Sequence, residues 1–445
     1  MPLSRRDFLA GAGVAGALVV GGGWRGVARA AAAKPSSLPA PDRSGIEHIV
    51  VLCMENRSFD HWLGWVAHAN GRQAGLSYAD SIGLLHDTHH LTDWSGCGYH
   101  DPDHSYEGGR VQLDNGKLDG FRLGTNDDYA LGYYTEADLP TTSQLVRNFT
   151  ICDNYFCSIL GPTYPNRFYT HAATTDRNSN SNDTSTLPTI WDRLAAAGLT
   201  GRYYFSDLPF LALWGDKYLP ISRPVDTFYA DAAAGTLAPF SYLDPFFLGE
   251  DQGGSNDDHP HADIRRGQSF VAQVANALMQ GPLWSTTVLV VTYDEWGGFF
   301  EHVLPPVLPD IVGPTYTVNP VSGALTTWNF DRTQAGFRVP CFVVSPLASP
   351  GRVATSPFDH SSILAMVEWR FGLTSLTPRD KAANNLALAL DFSTTNPTTS
   401  IPAVPDPGPH YCQGYNAVGT GMAFSDPFWL ELKDSPQMAA WAGGA

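Results

Sequence analysis

Cations are scarce in this sequence. Lys and Arg number 27 against 44 Asp and Glu, a formal charge of −17 at pH 7. That deficit argues against nucleic acid as a partner and against docking by charge onto anionic lipid. No apolar run of about 18 residues occurs after the N-terminal region, so no internal membrane span is expected. There are six cysteines and no Cys-x-x-Cys pair, which removes a zinc-ribbon reading. No Gly-x-Ser-x-Gly is present either, so an elbow-type serine hydrolase lacks its main support. What the chain does have is 43% hydrophobic residues, 12 Trp and 33 Pro over 445 positions. That composition allows a large core carried by a chain with long structured loops.

The first 30 residues read as a targeting peptide. Ser4-Arg5-Arg6-Asp7-Phe8-Leu9 has the form of a twin-arginine export signal, a weakly hydrophobic Gly/Ala/Val run follows, and Ala28-Arg29-Ala30 offers a small-residue cleavage site. Gly11-x-Gly13-x-x-Gly16 matches a dinucleotide fingerprint, but no strand precedes it, so it belongs to the signal. Loss of residues 1–30, with four arginines and one aspartate, takes the charge to −20. The expected location is secreted, periplasmic or cell-wall associated. Export permits disulfides. Cys53 and Cys341 lie in apolar strand-like runs and read as buried thiols, which leaves Cys97, Cys152, Cys157 and Cys412 as the bridge candidates.

Residues 31–44 form an Ala/Pro/Ser linker, and residues 45–445 read as one catalytic domain. Ile46–Met54 is a near-continuous apolar strand of the kind found in parallel sheets covered on both faces. Further strands are expected at 202–205, 287–293 and 339–345, and helices at 139–148, 189–197, 264–279 and 361–371. The alternation implies an α/β fold. Irregular stretches at 70–135, 303–337 and 374–412 are expected to carry substrate selection.

Three clusters carry chemistry. Glu55-Asn56 follows the first strand, where ligands bind in open α/β sheets, and a carboxylate and an amide oxygen suit a hard cation. Asp294-Glu295 ends the strongest strand; adjacent carboxylates there repel unless a cation or an arginine compensates. In Gly161-Pro162-Thr163-Tyr164-Pro165-Asn166-Arg167, two prolines fix the backbone around a hydroxyl. That hydroxyl is a poor nucleophile unless a metal or a base activates it. Taken alone, this segment reads as a rigid turn.

Together with residues 256–271 and 358–373, these clusters resemble the bacterial phospholipase C and acid phosphatase family of the alkaline phosphatase superfamily. The matching stretches include IEHIVVLCMENRSFDHWLG (46–64), CSILGPTYPNRFY (157–169) and TYDEWGGFFEHV (292–303), in the family's order. The resemblance implies an alkaline phosphatase-like fold: a mostly parallel central sheet with helices on both faces and long loop insertions over the site. It makes Glu55, Asn56, Asp294 and Glu295 metal ligands, together with Thr163, which attacks phosphorus and forms a phosphothreonine intermediate. An all-oxygen set suits one divalent cation, Ca²⁺ first, with Mg²⁺ or Mn²⁺ as alternatives. No His-rich second metal shell is evident. His104, His259 and His302 are assigned to phosphate binding and leaving-group protonation, and Asn166 and Arg167 to the phosphate-binding set through bracing of the nucleophile loop. His360, at a helix start, reads as a capping or supporting residue. The sequence departs from the family at Trp296, where many members have His, and at Phe300-Glu301, where Tyr-Asp is common.

The expected activity is that of a phospholipase C releasing diacylglycerol and a phosphorylated head group. The alternatives are a broad acid phosphatase and, from another class, a non-catalytic surface-binding protein. The substrate is expected to be a phospholipid or small phosphoester, with transient contact to a membrane surface; the oligomeric state is left open.

Overall fold

The computed structural model describes residues 38–249, 254–410 and 427–441. The signal expected over 1–30, residues 31–37 of the linker and Cys412 lie outside the described residues. Eight strands form the central sheet: β1 (His48–Met54), β2 (Thr150–Cys152), β3 (Gly201–Phe205), β4 (Ser222–Pro224), β5 (Phe240–Leu243), β6 (Thr287–Tyr293), β7 (Cys341–Val344) and β8 (Arg352–Ala354). Their order is β4-β3-β5-β1-β6-β7-β2-β8. β7 runs antiparallel to β6 and to β2, and the other pairings are parallel. The α/β architecture read from the sequence is therefore the one observed.

Every residue of β6 is buried, as is all of β1 after His48. Continuous apolar strands of this kind need cover on both faces. Helices α1 (Phe59–Leu63), α2 (Tyr106–Leu113), α3 (Pro140–Asn148), α4 (Thr163–Ala172), α5 (Ile190–Ala196), α6 (Val225–Ala234), α7 (Ile264–Met279) and α8 (His360–Phe371) surround the sheet. α3 and α6 both pack on α7, whereas α5 and α8 both pack on α4. No helix among the described residues is long and apolar enough to cross a membrane.

Two expectations are corrected. Thr163 lies in a helix, not in a turn: α4 starts at Thr163 itself, with Pro162 as N-cap. Proline is tolerated in a first helical turn because the N–H it lacks would have no intrahelical partner there, so two prolines were no bar to helix. Cys152 and Cys157 are buried free thiols like Cys53 and Cys341, whereas Cys97 is disulfide-bonded. Cys152 is buried at the end of β2, within the central sheet.

Candidate active site

β1 and β6 pair in parallel with Met54 opposite Tyr293. The ladder continues one step beyond the strands, where Asp294 N–H donates to the Met54 carbonyl at 3.0 Å. This register delivers Glu55-Asn56 and Asp294-Glu295 side by side at the carboxyl ends of neighbouring strands. Asn56 turns the chain with φ 59°, a left-handed conformation that Asn tolerates. Its N–H donates to Asp294 Oδ1 at 3.2 Å. Gly297 closes over it from the other strand; a Cβ there would lie 2.3 Å from the Asn56 carbonyl oxygen, so this position admits only glycine.

Arg167 organises the floor. It projects from α4 one turn after Thr163 and is fully buried. Its guanidinium lies 3.2 Å from Glu55, 3.0 Å from Asp294 and 2.7 Å from Asp244, and it donates to the Cys53 and Met54 carbonyls. It compensates Asp294 of the adjacent strand-end pair, together with Glu55 and Asp244, but does not reach Glu295. All three nitrogens of Arg167 are thus engaged by protein acceptors. Asn166 is likewise engaged with backbone: Oδ1 accepts from Ile159 N–H, and Nδ2 donates to the carbonyls of Ile159, Gly161 and Pro162. Both residues brace the nucleophile loop and the floor beneath it through contacts with protein groups.

Several buried oxygens in this region have no hydrogen-bond partner: both of Glu55, Oδ1 of Asn56, Oγ of Thr163, Oε1 of Glu295 and Oδ2 of Asp257. Buried oxygens left without a donor are costly, and a group of them is what a hard cation would satisfy. Burial drives the Glu55 carboxyl well above its ordinary range, with Arg167 opposing; burial also lifts Glu295 to about 8, with His104 opposing. These anions lack sufficient positive charge from protein alone. The donor set therefore fits a divalent cation, which Glu55, Asn56, Thr163 and Glu295 would hold. Asp294 differs from the other expected ligands. Its Oδ1 accepts two backbone N–H groups and its Oδ2 accepts from Arg167.

The histidines divide. His104 Nδ1 lies 2.8 Å from the Pro102 carbonyl, and His259 Nδ1 is bonded to the Pro260 carbonyl. A carbonyl only accepts, so each Nδ1 carries a proton and each Nε2 is the working nitrogen. His104 Nε2 is 3.4 Å from Asn56 Nδ2 and 4.0 Å from Glu295 Oε1. The two rings meet edge to face at 5.7 Å. Asp101 joins them, with ligand atoms of Asp101, His104 and His259 within 4.8 Å of one another, a His-rich grouping the sequence did not reveal.

His302 is elsewhere, and its expected catalytic role is corrected. Its Nδ1 is 2.5 Å from Asp60 and its Nε2 is 3.1 Å from Asn70. Asp60 and Glu301 are both bound by the buried guanidinium of Arg338, at 3.2 and 2.7 Å. This knot ties α1, which follows the first ligand pair, to the loop after the second. His360 supports the site as expected: its Nε2 lies 2.6 Å from the Asp294 carbonyl, and Asp359 caps α8.

Sequence reasoning missed Asp101, Asp244 and Asp257. Asp244 directly follows β5, and the rule that exposed the other strand-end acids would have found it had β5 been recognised.

A buried hydroxyl at a helix N-terminus, two strand-end acidic pairs and two imidazoles with fixed tautomers make a site built for attack at an anionic ester. Comparison with known proteins gives the class a name. The chain matches the model of the Phosphoesterase family over residues 46–374 and belongs to that family. It is 31% identical to non-specific phospholipase C3 of Arabidopsis thaliana over 406 residues, covering 81% of this chain and 76% of the relative. It is 30% identical to phospholipase C A of Mycobacterium tuberculosis over 479 residues, covering 90% and 88%. Among solved structures, a protein in the alkaline phosphatase superfamily from Vibrio parahaemolyticus superposes with a TM-score of 0.36 at 10% identity over 73% of each chain.

Proposed function

We propose that the chain is an exported phospholipase C that cleaves phosphatidylcholine-like phosphodiesters into diacylglycerol and a phosphorylated head group. The observation that carries this reading is the Thr163 hydroxyl. It is fully buried and unpartnered at the first position of α4, in the loop braced by Asn166 above the Glu55–Arg167–Asp294 floor. The phospholipase C names of relatives that align over most of the chain support the diester as substrate.

The helix N-terminus places positive potential where the phosphoryl oxygens would lie. A bound divalent cation, Ca²⁺ in the first instance, would lower the Thr163 hydroxyl pKa and offset charge on the phosphoryl group. Thr163 Oγ forms the new bond to phosphorus as the bond to the glycerol oxygen breaks. The Nε2 of His259 or His104 takes the proton from the Thr163 hydroxyl and, as the imidazolium, passes it to that leaving oxygen. Water then attacks the phosphothreonine, releases the phosphorylated head group and restores the hydroxyl. Arg167 holds Glu55 and Asp294 in place throughout.

The test is a substrate panel on the purified protein, with and without Ca²⁺, together with Thr163→Ala. Turnover of a phosphorylcholine diester, abolished in a folded Thr163→Ala variant, is expected. Full activity in that variant would sink the mechanism. Much faster turnover of a simple phosphate monoester would make the protein an acid phosphatase instead.

A further inference from the structure

Charge is missing from one long stretch of this molecule. Between Val303 and Phe330 the chain has no Lys, Arg or His, and its only acid is Asp310. That carboxyl is buried, bonded to Tyr169 and Arg379. The same stretch holds six of the eleven exposed large apolar side chains among the described residues: Leu304, Val307, Val312, Tyr316, Val321 and Leu325. Val321 and Leu325 are 80% and 70% exposed. Apolar side chains concentrated in this way mark a docking surface more often than chance.

The segment is built, not loose. Thr315–Val318 pairs antiparallel with Leu325–Trp328. The turn between them is closed by Asn319, whose Oδ1 accepts from the N–H groups of Val321 and Ser322. Both flanks reach the nucleophile loop. The Pro306 carbonyl accepts from Ala335 N–H, and Leu160 N–H donates to the Gln334 carbonyl at 3.1 Å. At the other flank Phe330 meets the Tyr106 ring at 5.9 Å, and Tyr106 stands against Gly161.

Nearby cations are already engaged. Arg110 donates to the Tyr106 and Leu160 carbonyls, Lys117 pairs with Asp114, and Arg332 donates to the Thr175 and Gly313 carbonyls. On a chain of charge −17, such a rim has nothing to offer anionic lipid. We propose that residues 303–330 are the surface by which the protein docks onto a zwitterionic phospholipid interface, inserting the aliphatic side chains of the 319–325 turn and the 304–307 loop. The choice of lipid as occupant rests on the phospholipase reading, because the substrate must approach the nucleophile whose loop this rim borders.

The experiment is co-sedimentation of the full chain with phosphatidylcholine vesicles and with phosphatidylglycerol vesicles. Wild type is compared with Val321→Asp/Leu325→Asp and with the milder Leu304→Ser/Val307→Ser. Each double variant is expected to lose about tenfold or more in partitioning onto phosphatidylcholine vesicles. Hydrolysis of vesicular lipid should fall with it, while turnover of soluble p-nitrophenyl phosphorylcholine stays at the wild-type rate. Unchanged partitioning in both variants would overturn the proposal, as would wild type that prefers anionic vesicles. A shift from dimer to monomer without lipid, with partitioning unchanged, would make this an interface between copies and also overturn it. Wild type that turns over the soluble diester yet ignores vesicles defeats the docking surface alone. Vesicle binding without diester turnover supports docking and defeats the hydrolase reading.

Discussion

Replacing Arg167 by Met tests whether one side chain holds the site together. The guanidinium neutralises Glu55, Asp294 and Asp244 in a fully buried setting, at 3.2, 3.0 and 2.7 Å. Removing one partner from a buried ion pair costs about 3–5 kcal/mol, chiefly because the other charge is left uncompensated. Unfolding entropy is about 2.1 cal/mol/K per residue near 60 °C, so a chain of 445 residues changes by about 0.9 kcal/mol/K. The expected fall in Tm is therefore about 3–5 °C. The double variant Arg167→Met/Asp244→Asn removes a charge together with its compensation. Asp244 is also bonded by the Tyr203 hydroxyl, and its neutral form keeps that partner. Its Tm should lie above that of Arg167→Met alone, a coupling that additive effects would not produce. Thermal unfolding followed by circular dichroism in metal-free buffer measures all three proteins. An Arg167→Met Tm within 1 °C of wild type would refute the reasoning, because three carboxylates would then have lost their counter-charge at no cost.

A cation that fills the Glu55, Asn56, Thr163 and Glu295 oxygens should stabilise the fold. At a Ca²⁺ concentration of 100 times Kd the gain is about 2.7 kcal/mol, or about 3 °C in Tm. Glu55→Gln and Glu295→Gln should each remove most of that increment, and a wild-type Tm indifferent to Ca²⁺, Mg²⁺ and Mn²⁺ after verified chelation would count against the cation. His259→Ala is expected to lose about 10²–10⁴-fold in kcat. His302→Asn should instead keep turnover and lower Tm, because its bonds to Asp60 and Asn70 are structural; equal losses of kcat would contradict that division. The Glu368 carboxyl is raised to about 9, first by burial and then by Asp380. The folded state keeps a proton that the unfolded chain releases above its ordinary carboxylate pKa. Stability should therefore fall as pH rises from about 4.5 toward 9, and Glu368→Gln should flatten that slope in Tm measured at pH 5.5 and 8.5.

What was legible in the sequence followed from how each signal is written there. β1 and β6 were readable because a strand buried on both faces must be apolar at successive positions, and the acids that end them stand out against that background. β5 was not: Phe240-Ser241-Tyr242-Leu243 is short and carries two hydroxyls, so Asp244 lost its landmark. α4 was hidden by Pro162 and Pro165, which break a helix in its interior and are harmless at its start. His302 misled because adjacency in a motif is not adjacency in space. The turn through Gly297 and Gly298 carries the chain away from Glu295, and Glu301-His302 emerges beside Asp60 and Arg338. The same geometry explains the departure at Phe300-Glu301. Arg338 binds Glu301 through one oxygen, while the other accepts the Asp60 N–H. A carboxylate at 301 is thus used by the knot under α1. The residues that did reveal the site, Glu55, Asn56, Asp294 and Glu295, are those whose positions are set by two adjacent parallel strands, the one arrangement in which sequence order and spatial order coincide.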